Sequence, residues 1–333
     1  MKFKNKLILL CSILGLLVAA YVLGALFSYG SASKIREIAL FPGLKKESVS
    51  TVELSGPEGS MVLELEQTGS WMVKSGAVSY PADADKLDTL LTSISGLKQV
   101  RIVSRNAENL SNFDLTDSAA RRIILKDREG RELADMFLGK ETGKGDYVRL
   151  AKSETVLSSN KSLSFYTAQD MNYWTNLKIF PEDLQGSDID SITMKADLVL
   201  EKDGAPVRAD YTIYRTVVNK AEVWQLQGRE DFKLDQNKAD TMAKILANLR
   251  VRTFAGIKED VPAGSAVHAE IRFSTGTKAS YAITVGESSG EDQYYMMYDK
   301  SPYLYNVANW NLQALIMTID ELKAAPAQET GNE

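Results

Sequence analysis

Asp83-Ala84-Asp85-Lys86-Leu87-Asp88-Thr89-Leu90-Leu91 lies without gaps over Asp235-Gln236-Asn237-Lys238-Ala239-Asp240-Thr241-Met242-Ala243, and the match runs on to Leu97 over Leu249. The apolar positions of the first stretch are Leu87, Leu90, Leu91, Ile94 and Leu97. Those of the second are Ala239, Met242, Ala243, Leu246 and Leu249. Offsets of three, four, seven and ten put each set on one face of a helix. Asp83 and Asp235 stand where a side-chain acceptor would satisfy the first free amides, so both helices are predicted to begin there.

The flanks carry the same marks in the same order. Trp71 and Trp224 sit upstream of the two aspartates in alternating, strand-like runs. Downstream, Ile123-Ile124-Leu125 turns through Asp127-Arg128-Glu129-Gly130, and Ile271-Arg272-Phe273 turns through Ser274-Thr275-Gly276-Thr277. Alternation with glycine-bearing turns predicts a hairpin at each place. Gly139 and Gly286 follow, and eight residues later Tyr147 and Tyr294 open a further hairpin. Each copy therefore reads as strands, a helix, then four strands. That is an α+β unit, a mostly antiparallel sheet with one amphipathic helix on a face. The boundaries expected are repeat 1 over 49–180, a linker over 181–188, repeat 2 over 189–322 and a disordered tail over 323–333. Duplication explains the shared order. Chance similarity between two amphipathic helices is the alternative.

Ahead of the repeats, Leu7 to Tyr29 contains no charged side chain and follows Lys2, Lys4 and Lys6. A helix of that length rises roughly 34 Å, enough to cross a hydrocarbon core of about 30 Å. The basic end is expected to stay in the cytoplasm, which places the bulk of the chain outside it. Residues 30–48 read as a juxtamembrane linker. A cleaved signal peptide is the competing reading, with Gly30-Ser31-Ala32-Ser33 as the cut. Both readings give an extracytoplasmic passenger.

Of 39 Lys and Arg, three precede the apolar stretch, which leaves 36 against 44 Asp and Glu, a formal charge of −8. Such a surface repels nucleic acid. The sole cysteine, Cys11, lies in the apolar segment, so an intramolecular disulfide and a cysteine metal site are excluded. The sole histidine, His268, stands at the entrance of a strand and reads as a structural residue. Gly139-Lys140-Glu141-Thr142-Gly143-Lys144-Gly145-Asp146 has glycines one residue short of a phosphate loop, lacks its hydroxyl residue and leads into a strand. Nucleotide binding is not expected. Glu182, Asp183, Asp188 and Asp190 lack the spacing of a calcium loop. No catalytic, cofactor or metal residue is assigned.

The densest aromatic patch is Tyr294, Tyr295 and Tyr298, then Tyr303, Tyr305 and Trp310. It is either a strand covered on both faces or an exposed platform for a saccharide or a partner protein. It is the candidate partner surface. Trp71, Asp83, Gly139, Tyr147, Trp224, Asp235 and Gly286 form the structural signature of the repeat.

The basic N-terminus and apolar anchor, Trp71-Met72-Val73, the helix from Asp83 to Leu97, Asn112-Phe113-Asp114-Leu115, Phe137-Leu138-Gly139 and Asp146-Tyr147-Val148-Arg149 together resemble an uncharacterised bacterial family of membrane-anchored domains. Its members are often encoded beside gliding-motility-type ABC transporters. The resemblance covers roughly residues 60–180, with a weaker echo in the second half. Where the family shows aromatic-Gly-Leu, then an acidic residue and a proline, this chain has Phe113-Asp114-Leu115-Thr116-Asp117-Ser118. The resemblance implies an envelope system and supplies no active site. The expected function is a non-catalytic accessory or scaffold subunit at an ABC-type transporter. The alternatives are an envelope binding module for cell-wall saccharide or peptide, and a carboxylate-based hydrolase.

Overall fold

The computed structural model describes residues 14–19, 22, 37–201, 204–261, 265–276 and 279–325. Two compact units divide the chain, Met1–Trp174 and Thr175–Glu333.

In the first unit the strands are β1 (Ile38–Ala39), β2 (Thr51–Gly56), β3 (Gly59–Leu65), β4 (Trp71–Ser75), β5 (Val78–Pro81), β6 (Lys98–Ser104), β7 (Arg121–Lys126), β8 (Glu132–Glu141), β9 (Asp146–Leu150) and β10 (Val156–Ser159). They form one sheet in the order β1-β6-β10-β9-β8-β7-β2-β3-β4-β5. Helix Ala84–Ser95 starts where the capping residue dictates, because the Asp83 carboxylate accepts from the Lys86 amide at 3.2 Å. Its apolar stripe of Leu87, Leu90, Leu91 and Ile94 is buried in one cluster with Val52, Leu63, Val73, Ile123, Met136 and Val148.

The second unit holds β11 (Ile189–Leu198), β12 (Val207–Val218), β13 (Ala221–Leu226), β14 (Thr253–Ile257), β15 (Ala269–Thr275), β16 (Ser280–Gly290), β17 (Gln293–Tyr298) and β18 (Tyr303–Ala308). Their order is β13-β12-β11-β15-β16-β17-β18-β14. Helix Gln236–Ala247 is capped by Asp235, which accepts from the Asn237 and Lys238 amides at 3.0 and 3.2 Å. Ala239, Met242, Ala243 and Leu246 are buried with Ile192, Ile213, Trp224, Ile271, Ile283 and Met296. Without β1 and β5, the first sheet read in reverse has the strand order of the second. All pairings in both are antiparallel. The α+β class expected from the sequence is therefore what the chain adopts.

Several boundaries differ from the sequence reading. Five strands follow each helix among the described residues, because β6 and β14 come directly after it. The stretch read as a juxtamembrane linker packs from residue 37 onward. There β1 pairs with β6, the Leu40 amide reaches the Leu97 carbonyl at 3.0 Å, and Leu40, Phe41 and Leu44 lie on the first core. Phe180 and Leu184, read as the end of repeat 1 and as linker, are buried in the second unit. The Phe180 ring meets Phe273, Tyr281 and Tyr298 edge-on. Of the tail, Lys323 bridges to Leu234, and the Ala324 amide donates to the Lys233 carbonyl at 2.9 Å. Residues 326–333 lie outside the described residues. So does most of Leu7–Tyr29, of which residues 14–19 and 22 are helical. Among the described residues no helix is long and apolar enough to cross a membrane.

Candidate ligand pocket

The aromatic patch does not form one surface. Strand alternation sends Met296 and Tyr298 of β17 into the core and Tyr295 and Met297 to the opposite face. Tyr298 is buried beside Asp299, and burial pushes its hydroxyl up to about 12. Tyr305 is 3% exposed and shares a 2.5 Å hydrogen bond with Ser301 Oγ. Tyr303 packs on the core with its ring 5.0 Å from Phe254, and Tyr294 packs on it while its hydroxyl donates to the Val199 carbonyl. Tyr298 and Tyr305 are thus core residues, which corrects their assignment to a partner surface, while Tyr294 and Tyr303 are half-buried. Tyr295 and Trp310 remain accessible, at 39% and 69%.

Tyr295 faces a cavity of about 480 Å³, within the range of small-ligand sites. Met297, Leu304 of β18 and Ala255 of β14 supply an apolar floor, and Val261 and Val267 from the β14–β15 connection supply a wall. Asp260 and Glu287 bring two carboxylates to it. Asp260 is fixed locally, because its Oδ2 accepts the Ile257 amide at 3.2 Å. Gly256 makes that seat available: its φ is +152°, and a Cβ there would lie 2.8 Å from Asp260 Oδ2. Lys258 is turned away, its Nζ donating to the Asp299 carbonyl at 3.0 Å. Among the described residues, none lining the cavity is cationic.

At the matching face of the first sheet the space is filled. Leu115, Ala120, Phe137 and Val156 form a separate buried cluster, with Phe113 and Tyr147 packed on it. The Phe113 and Tyr147 rings meet edge-on with centroids 4.7 Å apart. Arg149 lies over the Phe137 ring at 4.0 Å and donates to the Leu115 carbonyl at 3.2 Å. The plug is the connection between β6 and β7, residues 105–120. Its counterpart between β14 and β15 is shorter, residues 258–268.

Register decides which tyrosine matches which. Leu138 pairs with Val148, and Val285 with Met296, all four in the cores. Tyr147 therefore corresponds to Tyr295, not to Tyr294 as the ungapped alignment has it. The sheet ladder shifts twice between Val285 and Gly290 but once between Leu138 and Glu141, which offsets the second copy by one residue. By the same logic Trp71 and Trp224 correspond, for they face Leu65 and Arg215 at matching rungs. Trp224 donates through Nε1 to Asp240 at 2.9 Å and lies under Arg215 at 4.6 Å. Gly139 and Gly286 differ in need. A Cβ on Gly139 would lie 2.0 Å from the Phe113 carbonyl, whereas one on Gly286 would meet nothing closer than 3.5 Å.

The other stretches weighed in the sequence lie within strands or the connections between them. The glycine-rich stretch 139–146 ends β8 and joins it to β9. His268 engages through its backbone, donating to Val285 at 2.8 Å and accepting from Asp197 at 2.8 Å. Asp188 accepts from the Gln185 amide and Asp190 from Ser274 Oγ. Among the described residues no group of three or more His, Cys, Asp or Glu could hold a metal. Asp260, Glu287, Met297 and Leu304 escaped the sequence reading, because their convergence depends on strand order.

A family model described as a domain of unknown function (DUF4340) matches residues 71–264 and 224–325. The two matches begin at Trp71 and Trp224. No curated protein matches the chain, and no solved structure does.

Proposed function

The chain belongs to the family described as a domain of unknown function (DUF4340), and we propose that it is a non-catalytic accessory subunit of the bacterial cell envelope. In this reading Leu7–Tyr29 anchors it in the cytoplasmic membrane with the lysines inside. Both units stand outside the cytoplasm beside an ABC-type transporter, as the family resemblance implies. The uncharged length of that segment and its basic flank support the anchor. We further propose that the two units arose by duplication, supported by their common strand order and the two starts of the family match.

One observation carries the division of labour. At the same face of two like sheets, the first unit is plugged by Leu115 and Phe113, while the second holds a cavity floored by apolar side chains. The first unit is then scaffold and the second the binding element. Purification of the full chain in mild detergent tests this. Transporter subunits should co-purify with the wild type and be depleted from Tyr295→Ala, with folding checked by circular dichroism. Recovery of the protein alone, or equal recovery of subunits by the variant, would count against the reading.

A hydrolase is the second reading, since Asp260 and Glu287 share one cavity. Both are exposed, whereas an acid catalyst at neutral pH depends on a desolvating setting. Binding is the better account of these carboxylates.

A further inference from the structure

We propose that the second-unit cavity takes an extended peptide that carries a basic side chain beside apolar ones. This rests on reading the cavity as a binding element and names the chemistry of its occupant.

Three features of the site converge on that class. The floor and walls of Ala255, Met297, Leu304, Val261 and Val267 favour apolar side chains. Among the described residues the charge brought to it is negative, from Asp260 and Glu287, with Lys258 tied back to Asp299. Neither carboxylate forms an ion pair among the described residues, in a chain where Asp83, Asp127, Asp135 and Glu53 all do. The Tyr295 ring adds a face that attracts a cation. A basic side chain with an apolar stem satisfies all of these at once, because its stem lies along apolar surface while its head reaches the carboxylates.

The placement of Ala255 favours a peptide over a free amine. It sits on β14, which is the terminal strand of the sheet. A strand at a sheet edge can be extended by an incoming main chain, whose alternate side chains then enter pockets on one face. Side chains that a peptide projects toward the face bearing Met297 and Leu304 would reach the cavity.

Calorimetric titration of the full chain in lipid nanodiscs tests this. The probes are the capped pentapeptide Val-Ser-Lys-Ser-Val, whose apolar and basic side chains share one face of the extended chain, its Val-Ser-Gln-Ser-Val and Val-Ser-Glu-Ser-Val counterparts, and free hexylamine. The lysine peptide should bind, the glutamine peptide about fivefold more weakly, and the glutamate peptide more weakly still, as expected for charges at a rim. Both substitutions Asp260→Asn and Glu287→Gln alter exposed side chains. Together they should erase the preference for lysine while leaving the glutamine peptide unaffected. Raising salt from about 50 to 300 mM should weaken the lysine peptide only. The proposal is overturned if the glutamine peptide binds as tightly as the lysine peptide, if the double variant keeps the preference, or if hexylamine binds as tightly as the peptide. If Tyr295→Ala still depletes transporter subunits in such a case, the binding role of the cavity survives and only the identity of its occupant falls. If Tyr295→Ala changes neither assay, both fall.

Discussion

Tyr147 packs edge-on against Phe113, with ring centroids 4.7 Å apart. Tyr295, at the matching rung of the second sheet, faces a cavity with 39% of its surface exposed. The same residue type at the same rung has thus been given two tasks by the loop that passes over it.

Truncation should separate those tasks. Tyr147→Ala removes a ring held between Phe113 and the Leu115 cluster and should cost about 2–4 kcal/mol. Tyr295→Ala removes a half-exposed ring and should cost less than about 1 kcal/mol. Urea unfolding of both variants measures the difference. Equal losses would show that the second site is packed like the first.

The two glycines should respond in opposite ways. Gly139→Ala forces a methyl toward the Phe113 carbonyl, a backbone atom that cannot step aside cheaply. A loss of about 1–3 kcal/mol is expected. Gly286→Ala meets only ordinary van der Waals distances and should stay within about 0.5 kcal/mol of wild type. Thermal melts of the pair decide it, and a harmless Gly139→Ala would contradict the described approach of Phe113.

Asp114 occupies the left-handed region at φ 55° and ψ 38°, where the family pattern has glycine. An L-residue is disfavoured there, aspartate less so than most. Asp114→Gly should raise stability by up to about 1 kcal/mol, since the exposed contact with Lys140 at 3.6 Å contributes little. Asp114→Val should lower it by about 1–2 kcal/mol. A stabilised valine variant would mean that the turn is not left-handed.

Asp146 sets a pH signature. Its carboxylate is buried, accepts from Ser162 Oγ and from the Leu163 and Ser164 amides, and caps the Ser164–Thr167 turn. Burial raises its pKa above the ordinary 3.8 despite those donors. A raised acid binds its proton more tightly in the fold. The stability gained from protonation is fully present below pH 3.8 and is lost as pH rises through the folded-state value. Asp146→Asn should delete that component, so the difference between wild type and variant should change across the acid range. Chemical denaturation at a series of pH values would show it, and parallel profiles would refute the assignment.

Local features of this fold were legible in the chain. Both helices, with Asp83 and Asp235 at their starts, follow from a period that any window of a dozen residues reveals. The β7–β8 and β15–β16 hairpins follow from alternation broken by turn residues. Strands β6 and β14 were missed because neither Lys98-Gln99-Val100-Arg101-Ile102-Val103-Ser104 nor Thr253-Phe254-Ala255-Gly256-Ile257 alternates cleanly between apolar and polar residues. The aromatic patch was visible as composition, but composition does not say which face of a strand a ring takes once a bulge intervenes.

By itself the sequence determined the α+β class, the two capped helices and the paired tryptophans, since these rest on contacts between near neighbours or on periodicity. Only the tertiary structure decided that Tyr147 would be covered and Tyr295 left facing open space, and that Asp260, Glu287, Met297 and Leu304 would meet. The reason is that filling a volume depends on the length and path of a crossing loop and on sheet register. Both are settled by packing among residues far apart in the chain, and no local pattern records them.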